Sequence, residues 1–190
     1  MAHYSGWEVR WGGPAAIAAG VLFFSYGLLG WAVGKGNEPG PLDLLAVLGY
    51  VLQAVGLVGF HALQGTNYGR IGRAGLYTTL GAIALWVLLI LASLVGGAGG
   101  GLGWLVAVGV LGTLVGLVLY GAATLQARVL PRWCGIAFIV LMPVGILLGD
   151  YLPIWSGLVW VALGYALWSH GGGGVSAQRP SSSSSSSRPR

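Results

Sequence analysis

The chain has 190 residues, of which 56% are hydrophobic and only 7% are charged, and its formal net charge is +5. A soluble globular domain carries about 25% charged residues, so this composition excludes an ordinary water-soluble domain. The basic residues are spread over loops and a tail, which argues against a nucleic-acid-binding protein. The single cysteine, Cys134, excludes an intramolecular disulfide and a cysteine-based metal cluster.

Six apolar stretches follow one another along the chain, each close to the roughly 20 residues with which an α-helix crosses a bilayer. The breaks between them are rich in glycine, proline and charged residues, which are typical of turns. The sequence therefore predicts an all-α integral membrane protein with six transmembrane helices. The predicted spans are 14–34, 42–64, 74–96, 103–126, 133–149 and 152–169.

The break between the fifth and sixth predicted spans is short, running from Gly149 to Pro153. One continuous helix over 133–169 would be about twice as long as the bilayer requires. It would also carry Asp150 to the membrane centre, where a charge costs at least about 2.5 kcal/mol. A tight hairpin that leaves Asp150 at the membrane surface is therefore the prediction.

The charges in the turns give an orientation for six spans. One side then holds eight arginines, whereas the other holds Lys35 with the acidic residues Glu38, Asp43 and Asp150. Because basic residues accumulate on the cytoplasmic side, both termini are predicted to be cytoplasmic. The arginines are Arg10, Arg70, Arg73, Arg128, Arg132, Arg179, Arg188 and Arg190.

This orientation divides the chain into three parts. Residues 1–13 form a cytoplasmic juxtamembrane segment, and residues 14–170 form the six-helix transmembrane domain. Residues 171–190 are rich in glycine, serine and arginine, a composition that cannot bury a core and predicts a disordered cytoplasmic tail.

Small residues recur at spacings that let membrane helices approach closely. Gly30 and Gly34 are spaced as GxxxG, and so are Gly112 and Gly116. These pairs predict packing within the bundle. The alternative is contact with a second copy or with another membrane protein through the same glycines.

Two of the predicted turns look related. Leu63-Gln64 and Leu125-Gln126 each close a span, and two arginines and a glycine follow in both cases. The similarity predicts a parallel internal repeat in which spans two and three match spans four and five. The segments Val129–Gly135 and Gly69–Arg73, each ahead of an apolar span, resemble small multi-pass membrane proteins of unassigned function from bacteria. That resemblance implies a bacterial cell membrane and carries no activity.

Aromatic and polar residues deep in the spans are candidates for a ligand pocket. Trp86 and Trp160 lie near the middle of spans three and six, where each indole N–H needs a partner. Gln53 is a polar group deep in span two. The alternative for all three is ordinary helix packing.

Two histidines carry the alternative functional hypothesis. His61 and His170 both lie toward the predicted cytoplasmic ends of their spans, and two histidines suffice as axial ligands of a haem. The alternative is therefore a haem-binding or redox protein that holds haem b. No predicted span carries a charged residue near its middle, which argues against a proton relay. The leading prediction is a non-enzymatic membrane protein without a cofactor. It is either an accessory subunit or a binder or transporter of a small apolar or neutral ligand.

Overall fold

The computed structural model describes residues 7–34, 40–65, 69–96 and 103–172, which are helical throughout apart from the turns. A short 3₁₀ turn, Gly149–Tyr151, separates the last two helices. The predicted tail beyond residue 172 lies outside the described residues. The helices are α1 (Trp7–Ala32), α2 (Asp43–Gln64), α3 (Gly69–Leu94), α4 (Gly103–Ala127), α5 (Arg132–Leu148) and α6 (Leu152–Gly172).

Five segments of the described chain are long and apolar enough to cross a membrane, which identifies an α-helical membrane protein. Four of them are α1 to α4. The fifth, Arg132–His170, contains both α5 and α6. Large apolar side chains are exposed along the surface of every helix, as expected of a surface that faces lipid.

The segment that contains α5 and α6 folds back on itself. Gly149 has φ 57°, a left-handed conformation that ends α5 and that glycine adopts at little cost. Trp155 then donates its indole N–H to the carbonyl oxygen of Leu141 at 3.1 Å. In one continuous helix, residues with this separation would be about 21 Å apart. The two helices therefore form an antiparallel hairpin.

Each helix runs antiparallel to the next, and α1 packs against α6, so that the six helices form a closed ring. The terminal end of this bundle is the end where α1 begins and α6 ends. The opposite end contains the 149–151 turn. The described arginines Arg10, Arg70, Arg73, Arg128 and Arg132 are all exposed at the terminal end.

Glycines at seven-residue intervals hold α1 against α6. Gly13, Gly20 and Gly27 of α1 face α6, while Gly157 and Gly164 of α6 face α1. A Cβ atom on Gly20 would lie 2.6 Å from the carbonyl oxygen of Gly157, and the reverse distance is the same. Only the absence of side chains lets the two backbones approach this closely. This seven-residue repeat differs from the GxxxG spacing and was not among the predicted contacts.

The first helix begins at Trp7, although the sequence predicted a start at Pro14. A proline inside a helix removes one backbone hydrogen bond, and its ring clashes with the Cβ of the residue before it. Here the preceding residue is Gly13, which has no Cβ, so that part of the clash is absent. The helix continues through Pro14, as α5 does through Pro143.

The two predicted GxxxG pairs differ in the structure. Gly112 and Gly116 face Ala82 and Thr79 of α3, so this pair packs within the chain. Gly34 lies beyond the end of α1 with φ 61°, so Gly30 and Gly34 do not share a helical face. Contact of either pair with a second chain stays a prediction.

The predicted parallel repeat of spans two and three with spans four and five also stays a prediction. The two turns that suggested it have different surroundings. Gln64 is buried, whereas Gln126 is exposed. Gly75 of α3 and Gly135 of α5 occupy corresponding positions in the two motifs. In an exact repeat each would pack against the helix that follows it, but both pack against α4.

Candidate functional site

A cavity of about 350 Å³ lies between the helices in the half of the bundle nearer the opposite end. All six helices contribute to its wall, and none of the residues that line it carries a formal charge. We call this region the cavity half. The lining residues are Phe23, Tyr26, Ala46, Tyr50, Gln53, Trp86, Ile90, Val110, Thr113, Leu117, Leu141, Met142, Ile146, Leu152, Pro153, Ser156 and Trp160.

Trp86 of α3 is fixed in place by a short chain of hydrogen bonds. Its indole N–H donates to the hydroxyl of Thr113 on α4 at 3.2 Å. That hydroxyl in turn donates to the carbonyl oxygen of Gly109 at 2.8 Å. The missing side chain of Gly109 makes room for the indole, since a Cβ there would lie 3.1 Å from the ring. The ring of Trp86 is therefore positioned with its own donor already satisfied.

Aromatic rings from three helices form one wall of the cavity. Phe23 of α1 meets Tyr50 of α2 edge to face, with ring centroids 5.0 Å apart. The Tyr50 ring is parallel to the Trp86 ring within 2°, with centroids 6.5 Å apart. Edge-to-face and offset parallel arrangements are the ones that aromatic rings prefer. The wall is therefore flat, apolar and well ordered by its neighbours.

Gln53 is the most polar group in the cavity wall. It lies one helical turn after Tyr50 and is only 4% exposed. The described residues provide its carboxamide with no hydrogen-bond partner. A carboxamide offers two donors and one acceptor, so this side chain brings unused hydrogen-bonding capacity to an apolar cavity. Ser156 of α6 adds a hydroxyl to the same wall.

A buried carboxylate lies beside the cavity without lining it. Asp43 begins α2 and accepts a hydrogen bond from the Tyr26 hydroxyl at 2.9 Å. It also accepts one from the backbone N–H of Gly40 at 2.8 Å. Both carboxylate oxygens of Asp43 therefore accept hydrogen bonds from neutral donors, which fix the chain where α2 begins.

The half of the bundle nearer the terminal end is packed, and we call it the filled half. Phe138 of α5 lies at its centre and meets Phe60, Tyr120 and Trp160 edge to face, at centroid distances of 5.4, 5.2 and 5.8 Å. Closer to the terminal end than these rings, Gln64 of α2 donates a hydrogen bond to the hydroxyl of Thr124 on α4 at 3.0 Å. Trp160 is the boundary, since it lines the cavity and also contacts Phe138.

The structure brings together the three residues that the sequence suggested for a ligand pocket. Gln53, Trp86 and Trp160 come from α2, α3 and α6 and line the same cavity. Trp86 has the polar partner that was predicted for a buried indole, whereas the described residues supply none to the indole N–H of Trp160. Tyr50 and Ser156 were missed, since nothing in their sequence spacing distinguishes them from lipid-facing residues.

Trp155 is half-buried and lies outside the cavity lining. Its indole N–H bonds to the carbonyl oxygen of Leu141 within the α5–α6 hairpin.

The two histidines lie outside the cavity. His61 is half-buried near the end of α2, and His170 is exposed on α6. The Nδ1 atom of His170 lies 2.8 Å from the carbonyl oxygen of Ala166 in its own helix. The described part of the chain contains no group of three histidine, cysteine, aspartate or glutamate side chains suited to a metal ion. Joint ligation of a haem by His61 and His170 stays a prediction.

Comparison of the chain with protein-family models, with curated proteins and with solved structures finds no match. The geometry of the cavity is therefore the basis for a functional proposal. Its lining supplies flat apolar walls and a few neutral hydrogen-bonding groups, which is a wall suited to binding an uncharged molecule.

Proposed function

We propose that this protein binds a small, uncharged and mainly apolar ligand in the cavity between its helices, as a binder or transporter of that ligand. The observation that carries the proposal is the convergence of Gln53, Trp86 and Trp160 on one cavity of about 350 Å³. Ligand sites occupy about 300–1,000 Å³ and combine apolar walls with a few polar groups. The cavity is also what favours this proposal over a purely structural accessory subunit.

The absence of charge in the lining sets the polarity of the ligand. Moving an ion from water to an apolar site without a partner is costly, because the ion gives up its hydration. None of the residues that line this cavity is ionised. An uncharged ligand avoids that cost, and the aromatic walls supply dispersion contacts to it.

The proposed arrangement in the membrane has six spans, with both termini on the cytoplasmic side of a bacterial cell membrane. The antiparallel hairpin of α5 and α6 supports it, because α6 has 21 residues and α5 has 17. About 17–25 residues are needed to cross the bilayer, so each helix is long enough. The exposed arginines at the terminal end support a cytoplasmic location for that end.

Cysteine labelling tests this arrangement. In a Cys134→Ser background, single cysteines at Gln126, Asp150 and Ser169 are treated in intact cells with a membrane-impermeant maleimide. Six spans predict that Asp150→Cys is labelled directly, and that Gln126→Cys and Ser169→Cys react only after permeabilisation. Labelling of Ser169→Cys from outside, with Gln126→Cys still protected, would mean that 132–170 crosses only once.

Native mass spectrometry tests the ligand. The protein is extracted from membranes in mild detergent and released in the spectrometer, and bound masses are recorded for the wild type and two variants. Ala46 lines the cavity, whereas Ala162 is exposed on the outer surface of α6. We expect a bound small molecule on the wild type and on Ala162→Phe, and none on Ala46→Phe. A ligand retained by Ala46→Phe, or no ligand on the wild type, would contradict the proposal.

A further inference from the structure

Several polar side chains that line the cavity have no hydrogen-bond partner among the described residues, and of these only Gln53 offers a donor and an acceptor side by side. The Oε1 atom of Gln64 is also buried without a partner, but it lies outside the cavity. Trp86, Trp155, Thr124 and Gln64 each form a hydrogen bond within the bundle. Gln53 is nine-tenths buried and lines the cavity, and the described residues do not bond its carboxamide. In a membrane protein, such a group is costly to bury without a partner. Its position is explained if a ligand supplies that partner.

We propose that the ligand is a flat, uncharged ring compound that carries a hydrogen-bond donor and an acceptor side by side, as in a carboxamide or a lactam. This inference rests on the proposed function and specifies its substrate class. The carboxamide of Gln53 offers N–H and C=O groups on adjacent atoms. A ligand with the same pair in reverse order forms two parallel hydrogen bonds with it. A hydrocarbon ligand would leave both groups of Gln53 without partners.

The surroundings of Gln53 specify a flat ring. Tyr50 lies one turn earlier on α2, so its ring and the carboxamide project from the same helical face. The parallel planes of Tyr50 and Trp86 present matching flat surfaces. Trp86 is held by Thr113 and does not compete for the polar group of the ligand. The ring of the ligand thus stacks on aromatic faces while its polar edge reaches Gln53.

The charge of the site excludes the ionic versions of the same ring. A carboxylate or an ammonium group would enter a cavity whose lining holds no opposite charge. The carboxylate of Asp43, beside the cavity, accepts hydrogen bonds from Tyr26 and Gly40. Recognition therefore depends on neutral hydrogen bonds, and Gln53 determines the specificity.

Four probes with one ring system test the inference: 2-naphthamide, 2-ethylnaphthalene, 2-naphthoate and 2-naphthylmethylammonium. Dissociation constants are measured by calorimetry on the full chain in lipid nanodiscs. We expect the wild type to bind 2-naphthamide about tenfold more tightly than 2-ethylnaphthalene, the gain from two hydrogen bonds in a buried site. The two ionic probes bind more weakly than either.

Two variants of similar size assign the preference to Gln53. Gln53→Met keeps the volume of the side chain and removes its hydrogen-bonding groups. This variant should therefore bind 2-naphthamide and 2-ethylnaphthalene about equally. Gln64→Met is the control, because Gln64 is also a buried glutamine of α2 but bonds to Thr124 outside the cavity. It keeps the wild-type preference. Thermal unfolding of both variants shows whether each is folded.

The outcomes separate this inference from the proposed function. Equal binding of the two neutral probes, abolished by Ala46→Phe, would contradict a carboxamide-type ligand but would still support a cavity that binds neutral molecules. Tighter binding of the ammonium probe would overturn the inference in favour of cation recognition by the aromatic wall. No binding of any probe would overturn the inference, whereas a co-purifying ligand lost only in Ala46→Phe would still support the proposed function.

Discussion

The filled half and the cavity half of this bundle are made from the same six helices, yet they use their side chains differently. In the filled half, Phe138 meets three aromatic rings and Gln64 bonds to Thr124 across the bundle. In the cavity half, Gln53 and the Tyr50 ring face open space. The comparison indicates that packing stabilises the first region, whereas the second leaves surface for a ligand.

Truncating one phenylalanine in each half gives the largest expected contrast. Phe138 is fully buried among rings, so Phe138→Ala leaves a new cavity and lowers the free energy of unfolding by about 3–5 kcal/mol. Phe23 already borders the cavity, and Phe23→Ala costs less, about 1–3 kcal/mol. Reversible unfolding in mixed micelles measures both. Equal losses would show that the two halves are packed alike.

Disruption of the glycine contacts between α1 and α6 is expected to give the next largest loss of stability. A Cβ at position 157 would meet backbone atoms of Gly20 and Phe24 at 2.6 Å. Gly157→Ala therefore forces the helices apart and costs about 1–3 kcal/mol. Gly81 is the matched control, since it lies inside α3 with open space around it. Gly81→Ala leaves stability unchanged or raises it by up to about 1 kcal/mol. A harmless Gly157→Ala would contradict the close approach.

Substitution of the two buried glutamines of α2 is expected to change stability by smaller amounts, with a loss at Gln64 and no loss at Gln53. Gln64→Met removes the bond to Thr124 and lowers stability by about 0.6 kcal/mol, a typical value for one interhelical hydrogen bond in a membrane. Gln53→Met, measured without ligand, removes an unpartnered polar group and leaves stability unchanged or higher. The same unfolding assay compares them. A loss for Gln53→Met as large as that for Gln64→Met would indicate a structural role for Gln53.

The smallest expected effect concerns the histidines at the terminal end. Protein purified after expression with added haem should show no Soret band, because His170 is exposed on α6 and its Nδ1 atom lies 2.8 Å from the carbonyl oxygen of Ala166 in the same helix. A Soret band that is lost in both His61→Ala and His170→Ala would establish the haem-binding alternative. The measurement is an absorption spectrum in mild detergent.

The positions of the helices could be predicted from the sequence because hydropathy and turn residues determine where the chain crosses the membrane. The predicted break before Pro153 corresponds to the 149–151 turn, and Gln53, Trp86 and Trp160 were chosen as buried polar or aromatic groups. These choices rest on the cost of a polar group in lipid, which a sequence shows directly.

The inward faces of the helices could not be predicted in the same way. In water, an apolar stripe marks the buried face, but here both the lipid and the interior are apolar. The cavity position of Tyr50 was missed for this reason. The heptad of Gly13, Gly20 and Gly27 was a usable signal for the α1–α6 contact, since small residues mark the face where backbones approach.

Thiol reactivity tests the central contrast most directly and needs no knowledge of the ligand. The native Cys134 lies fully buried in the filled half, whereas Ser156 lines the cavity. Wild-type protein and Ser156→Cys are treated in nanodiscs with methyl methanethiosulfonate, a small neutral reagent, and adducts are located by mass spectrometry. The account predicts modification at position 156 and none at Cys134. An unreactive cysteine at 156, or equal reaction at both positions, would contradict a cavity confined to one half of the bundle.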